Sequence, residues 1–126
     1  MSKLLMVVSA AFMATIGLLL IFAPQELLGT MQGVQHPALL PAVQLLGALY
    51  VGGAITNWMS KSHLVGGVFG RPLAMGNLTH FGIGGMALVR IAAGAEARLW
   101  PLAILYVLLA AAFGAIIVGQ PKAAVT

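Results

Sequence analysis

After Lys3 the chain runs from Leu4 to Ala23 without a charged side chain, and no other feature limits its possible folds so strongly. About 20 consecutive apolar residues, wound into a helix, match the hydrocarbon thickness of a bilayer. In water such a helix exposes apolar surface on every side. In lipid it satisfies its backbone groups internally and shows the solvent only hydrocarbon. The run is long for a signal-peptide core, and Pro24 directly after Ala23 disfavours cleavage there; cleavage after Ala10-Ala11 is the alternative.

Three more runs follow, at about 39–59, 72–93 and 100–119, separated by short polar breaks. The first break, Pro24 to Pro37, carries Glu26 and His36 and room for one helical turn at Glu26 to Leu28. The second, Ser60 to Arg71, ends at Pro72, whose missing N–H suits the first residue of a helix. The third, Gly94 to Arg98, is tight. Only 6% of residues are charged, against roughly 25% in soluble domains. The expected fold class is therefore all-α: a polytopic membrane protein built as a four-transmembrane-helix bundle, a single membrane domain over 1–126.

Charge placement narrows partners. Six Lys or Arg against two acids leave a net charge of +4, but the charges stand singly, so nucleic acid is not an expected partner and anionic membrane lipids are. Lys3, Lys61, Arg71 and Lys122 fall on one side of the four runs, Arg90 and Arg98 on the other with Glu26 and Glu96. The positive-inside rule then puts both termini in the cytoplasm of a multi-pass inner-membrane protein. The absence of cysteine excludes disulfides and Cys-ligated zinc or iron–sulfur sites, so redox chemistry would need a bound cofactor, whose identity is unknown.

Small residues are the packing signal of membrane helices, because lipid gives helices no hydrophobic reason to associate. Ala111, Ala115 and Gly119, with Ala110 and Gly114 beside them, form one such set; Gly47, Gly52, Gly53 and Ala54 form a second, and Gly76, Gly82, Gly84 and Gly85 a third. These faces are expected to pack within the bundle, against a second copy, or against a membrane-complex partner.

The third run concentrates the polar chemistry. Helical spacing puts Asn77, His80, Phe81, Gly84, Ala87 and Leu88 on one broad stripe that should face inward. His80 would lie roughly 12 Å from the start of the helix. Two readings stay open: a neutral histidine hydrogen-bonded to Asn57, Gln44 or a backbone carbonyl, or a functional group. As a functional group it would ligate haem with His63, join Met59, His63 and Met75 around a soft metal, or hydrogen-bond a quinone together with Asn77. The cofactor-binding candidates are thus His80, Asn77 and His63. Arg71, beside Gly66, Gly67 and Gly70, and Lys61, beside the interfacial Trp58, are lipid-binding candidates. The loop lacks the GxxxxGK[ST] pattern of nucleotide binding. No span holds Asp, Glu or Lys, and no serine, histidine and acid come together, so nothing supports an enzyme.

Leu20-Ile-Phe-Ala-Pro24, Leu46-Gly-Ala-Leu-Tyr50, Asn57-Trp58 and Gly76-Asn77 together resemble small bacterial four-helix membrane proteins of the DoxX-like kind. The resemblance covers nearly the whole chain and implies a four-helix inner-membrane protein. Because some DoxX relatives are associated with membrane oxidoreductases that pass electrons to quinone, it also implies an accessory redox role, while supplying no catalytic residues. Phe81-Gly-Ile-Gly-Gly85 faintly echoes the third helix of fluoride channels, but Met86-Ala-Leu-Val-Arg90 stands where their filter sequence would follow. The functions to be weighed are a membrane subunit or small-ligand and lipid-binding module, an accessory subunit binding quinone or haem near His80, and a small homo-oligomeric transporter or channel.

Overall fold

The computed structural model describes residues 2–31, 36–63 and 68–119. Among these the secondary structure is helical: α1 (Ser2–Phe22), α2 (Pro24–Thr30), α3 (Leu39–Met59), α4 (Gly70–Gly94) and α5 (Trp100–Gly119), with a 3-10 turn at Ala97–Leu99. Three stretches, Ser2–Phe22, Leu39–Met59 and Ala97–Gly119, are long and apolar enough to cross a membrane. The expected fourth span falls on the 25-residue helix α4, which lacks the apolar content of the others and is not among the three. Arg71, Asn77, Thr79, His80 and Arg90, together with its glycines, dilute it.

Proline placement explains a second difference. Pro24 does not simply stop α1; it starts α2, where its fixed φ and missing N–H fit the first helical position. The expected single turn at Glu26 is consequently a seven-residue helix. Pro72 sits in the first turn of α4, which begins two residues earlier at Gly70, and so falls among the N–H groups that have no intrahelical acceptor. His36 prepares α3: its carbonyl accepts the N–H of Leu39 at 2.9 Å and its Nδ1 accepts that of Ala38 at 3.3 Å.

The chain divides into two compact units, Met6–Lys61 and Ser62–Thr126, the latter grouped with Met1–Leu5. In the first unit, α1 buries Met6, Ser9, Ala10, Met13 and Gly17, and α3 buries Gly47, Tyr50, Ala54 and Asn57. Each set follows helical spacing on one stripe. The helices approach tightly at Gly17 and Gly47: a Cβ added to either glycine would lie 2.9 Å from the carbonyl oxygen of the other. This crossing uses Gly17 of α1, a helix outside the three small-residue sets expected to pack. Threonine hydroxyls turn back onto their own helices, Thr15 to the Ala11 carbonyl and Thr56 to that of Gly52, both at 2.9 Å.

In the second unit α4 and α5 pair through Ala74, Asn77, Phe81, Gly85 and Ala92 on one side and Ala103, Tyr106, Leu109 and Phe113 on the other. The expected close-packing face of α5 is displaced. Ala111, Ala115 and Gly119 are exposed, and the large residues Tyr106 and Phe113 form the buried stripe instead. Ala87, expected on the inward stripe of α4, is also exposed. At the far end of α4 the Ile91 carbonyl accepts from both Ala95 and Glu96, and Glu96 then pairs with Arg98 at 3.1 Å.

Candidate functional site

The second unit holds a cluster of rings around His80. Its imidazole meets Phe81 edge-on, with centroids 4.9 Å apart and planes at 80°, and lies tilted against Tyr106 at 5.7 Å. Phe81 in turn meets Tyr106 edge-on at 5.2 Å and stacks on Phe113 at 6.0 Å. Edge-to-face pairs of this kind suit the aromatic quadrupole and each adds about 0.5–1.5 kcal/mol beyond burial. The backbone makes room for them: a Cβ on Gly84 would come within 2.7 Å of the Tyr106 ring, so glycine there lets the tyrosine lie flat on α4. Phe81 and Phe113 are fully buried, while His80 is half-buried with its Nε2 shielded from solvent.

Asn77 lies one turn before His80 and is buried; its amide donates to the Leu73 carbonyl at 3.0 Å, on its own helix. The candidate pair Asn77 and His80 is therefore held on one helix within a mostly aromatic setting. His63 is exposed on the turn after α3, a setting unlike the shielded Nε2 of His80. Met59 and Met75, considered with it as soft-metal ligands, are also exposed. Among the described residues no three His, Cys, Asp or Glu groups gather in a way that could hold a metal.

The lipid-binding candidates separate in the same way. Lys61 places its Nζ 3.9 Å above the ring of Trp58, a cation–π pair at the end of α3 that suits an interfacial anchor. Arg71 is exposed in the first turn of α4, whereas Gly66 and Gly67, its expected loop partners, lie outside the described residues.

A second polar centre, not expected from the sequence, lies in the first unit. Asn57, only 2% exposed, donates to Ser9 Oγ at 3.0 Å and to Met13 Sδ at 3.7 Å, and Ser9 donates to the Met6 carbonyl at 3.0 Å. These bonds tie Asn57 to α1. Gln44, the other proposed partner, reaches the Ile21 carbonyl at 3.5 Å. Ser9 went unnoticed because a single serine in an apolar run carries little signal. Its register, seven residues before Ile16 and eight before Gly17 on the α1 stripe, was the available clue.

Comparison with family models, curated proteins and solved structures finds no match. The DoxX-like resemblance therefore rests on the residues quoted for it.

Proposed function

We propose that this chain is a four-span integral protein of the inner membrane, with α4 as its most polar span, acting as a subunit or small-ligand and lipid-binding module. The observation that carries the reading is the outward placement of large apolar side chains. Leu4, Leu45, Leu49, Ile55, Leu108 and Val118 are between 55% and 87% exposed, on the same three helices whose length suits a bilayer. Helices that are apolar beyond the stripe they bury belong in lipid. The polar groups of α4 are compatible with a span: Asn77 is buried and His80 half-buried, and Arg71 and Arg90 lie near the ends, from which a long side chain snorkels to the interface.

The test uses the absence of cysteine. Single substitutions Ser62→Cys and Ala95→Cys flank α4, and a membrane-impermeant maleimide should label them from opposite faces of sealed vesicles. Labelling from the same face would remove α4 as a span and leave three. Release of the protein by an alkaline carbonate wash would overturn the membrane reading itself.

The ring cluster favours an accessory redox subunit as the second reading. A mostly apolar wall with two polar groups, Asn77 and His80, is the composition a quinone headgroup site uses. On that reading, quinone recovered with the purified protein falls when His80→Ala is introduced. Equal recovery from both proteins removes it.

A further inference from the structure

Along the α4–α5 pair lies an open groove of about 590 Å³, lined by Gly82, Met86, Val89, Arg90, Val107 and Ala110. Its size falls in the range of small-molecule pockets, about 300–1,000 Å³. The lining follows helical spacing, at positions 82, 86, 89 and 90 on α4 and 107 and 110 on α5, so one face of each helix forms a wall. Every lining residue but one is apolar, and the exception is the cation Arg90. From Gly82 to Arg90 the groove runs roughly 12 Å along the helix, at 1.5 Å per residue. Its charged end lies near the C-terminus of α4, where a spanning helix meets the headgroup layer.

Two further observations indicate what fills it. No ion pair to Arg90 forms among the described residues, the acid at that end, Glu96, being engaged by Arg98. Gly82, unlike Gly84, has nothing within 4 Å of the position a Cβ would take. No protein contact in the described structure accounts for a glycine there, yet its lack of a side chain deepens the groove. We infer that the groove seats one anionic phospholipid, its acyl chain between Gly82 and Ala110 and its phosphate on Arg90. Charge complementarity selects the headgroup, and the apolar walls select the chain. The site differs from the Lys61 and Arg71 positions, and it rests on the proposal that the chain is an integral membrane protein.

Native mass spectrometry of the full chain, released from micelles holding equal amounts of phosphatidylglycerol, phosphatidylcholine and oleate, tests this. The expected result is one retained phosphatidylglycerol per chain. Gly82→Leu puts a side chain into the groove from a position whose Cβ meets nothing within 4 Å, and Arg90→Gln removes the cation; each should lower retention about tenfold, the size expected when a charge-assisted contact or its seat is lost. Lys61→Gln should leave it unchanged. Equal retention of phosphatidylcholine, retention of oleate instead, or retention unaffected by both groove variants would overturn the proposal. Helix content by circular dichroism and resistance to a carbonate wash, measured on each variant, separate this failure from failure of the membrane reading: a chain that stays in the membrane without lipid selectivity loses only the groove.

Discussion

Asn57 is the residue on which the interior of the first unit depends. Its amide is buried and donates to Ser9 and Met13 across the α1–α3 contact. Hydrogen bonds between membrane helices measure about 0.6 kcal/mol on average and up to about 1.7. Asn57→Ala should therefore lower stability by about 1–2 kcal/mol, more than Ser9→Ala, once the lost packing of a buried side chain is added. Unfolding of both single variants and the double variant in detergent checks this, and a coupling energy near zero would show that the bond contributes nothing. His80 offers a second test at this scale. His80→Ala removes its contacts with Phe81 and Tyr106, and a loss of about 1–3 kcal/mol is expected from a half-buried aromatic position.

At the scale of the helix, glycines that look alike in sequence play opposite parts. Gly47 stands 2.9 Å, measured from a built Cβ, from the Gly17 carbonyl and 2.8 Å from the Ile21 side chain, so Gly47→Ala must part α1 from α3. Overpacking of this kind costs about 1–3 kcal/mol. Five residues on, Gly52 faces open space, and Gly52→Ala should stabilise the same helix by about 0.5–1 kcal/mol through the unfolded chain's lost freedom. Thermal unfolding of the two variants should shift in opposite directions. The sequence revealed the clustering of these glycines but not their roles, because the face a glycine occupies is set by the neighbouring helix. The same reason explains α5, where the four-residue rhythm of Ala111, Ala115 and Gly119 is outward and the bulky Tyr106 and Phe113 are buried against α4.

For the whole molecule the decisive quantity is the number of crossings. Four spans return the C-terminus to the side of the N-terminus; three leave the termini on opposite sides. On the proposed four-span reading, the positive-inside rule puts both ends in the cytoplasm. Reporter fusions active only in the cytoplasm should accordingly work at either end of the chain, and a reporter silent at one end alone would show an odd number of crossings and overturn the four-span reading. The membrane setting also predicts how the protein tolerates charge. Leu49→Asp or Leu108→Asp, at exposed positions on apolar helices, should reduce insertion, since an acid near the middle of a span costs about 2.5–3.5 kcal/mol on insertion scales. In a water-soluble protein the same exposed substitutions would be nearly neutral, so yield in the membrane fraction discriminates the two cases.

By itself the sequence determined the helical class, the positions of the long runs and the concentration of polar groups on the third. These depend on local quantities: apolar length, the placement of Pro24 and Pro72, and the helical period. Tertiary structure alone decided which residues meet. It joined Ser9 to Asn57, set Gly17 against Gly47, enclosed His80 with Phe81 and Tyr106, and left the face from Gly82 to Arg90 open beside α5. A helix that is apolar nearly all the way round does not disclose which stripe it buries, because hydrophobic periodicity fades when lipid and protein neighbours are equally apolar. Only the shape of the adjoining helix, and the few polar groups that need partners, make that choice.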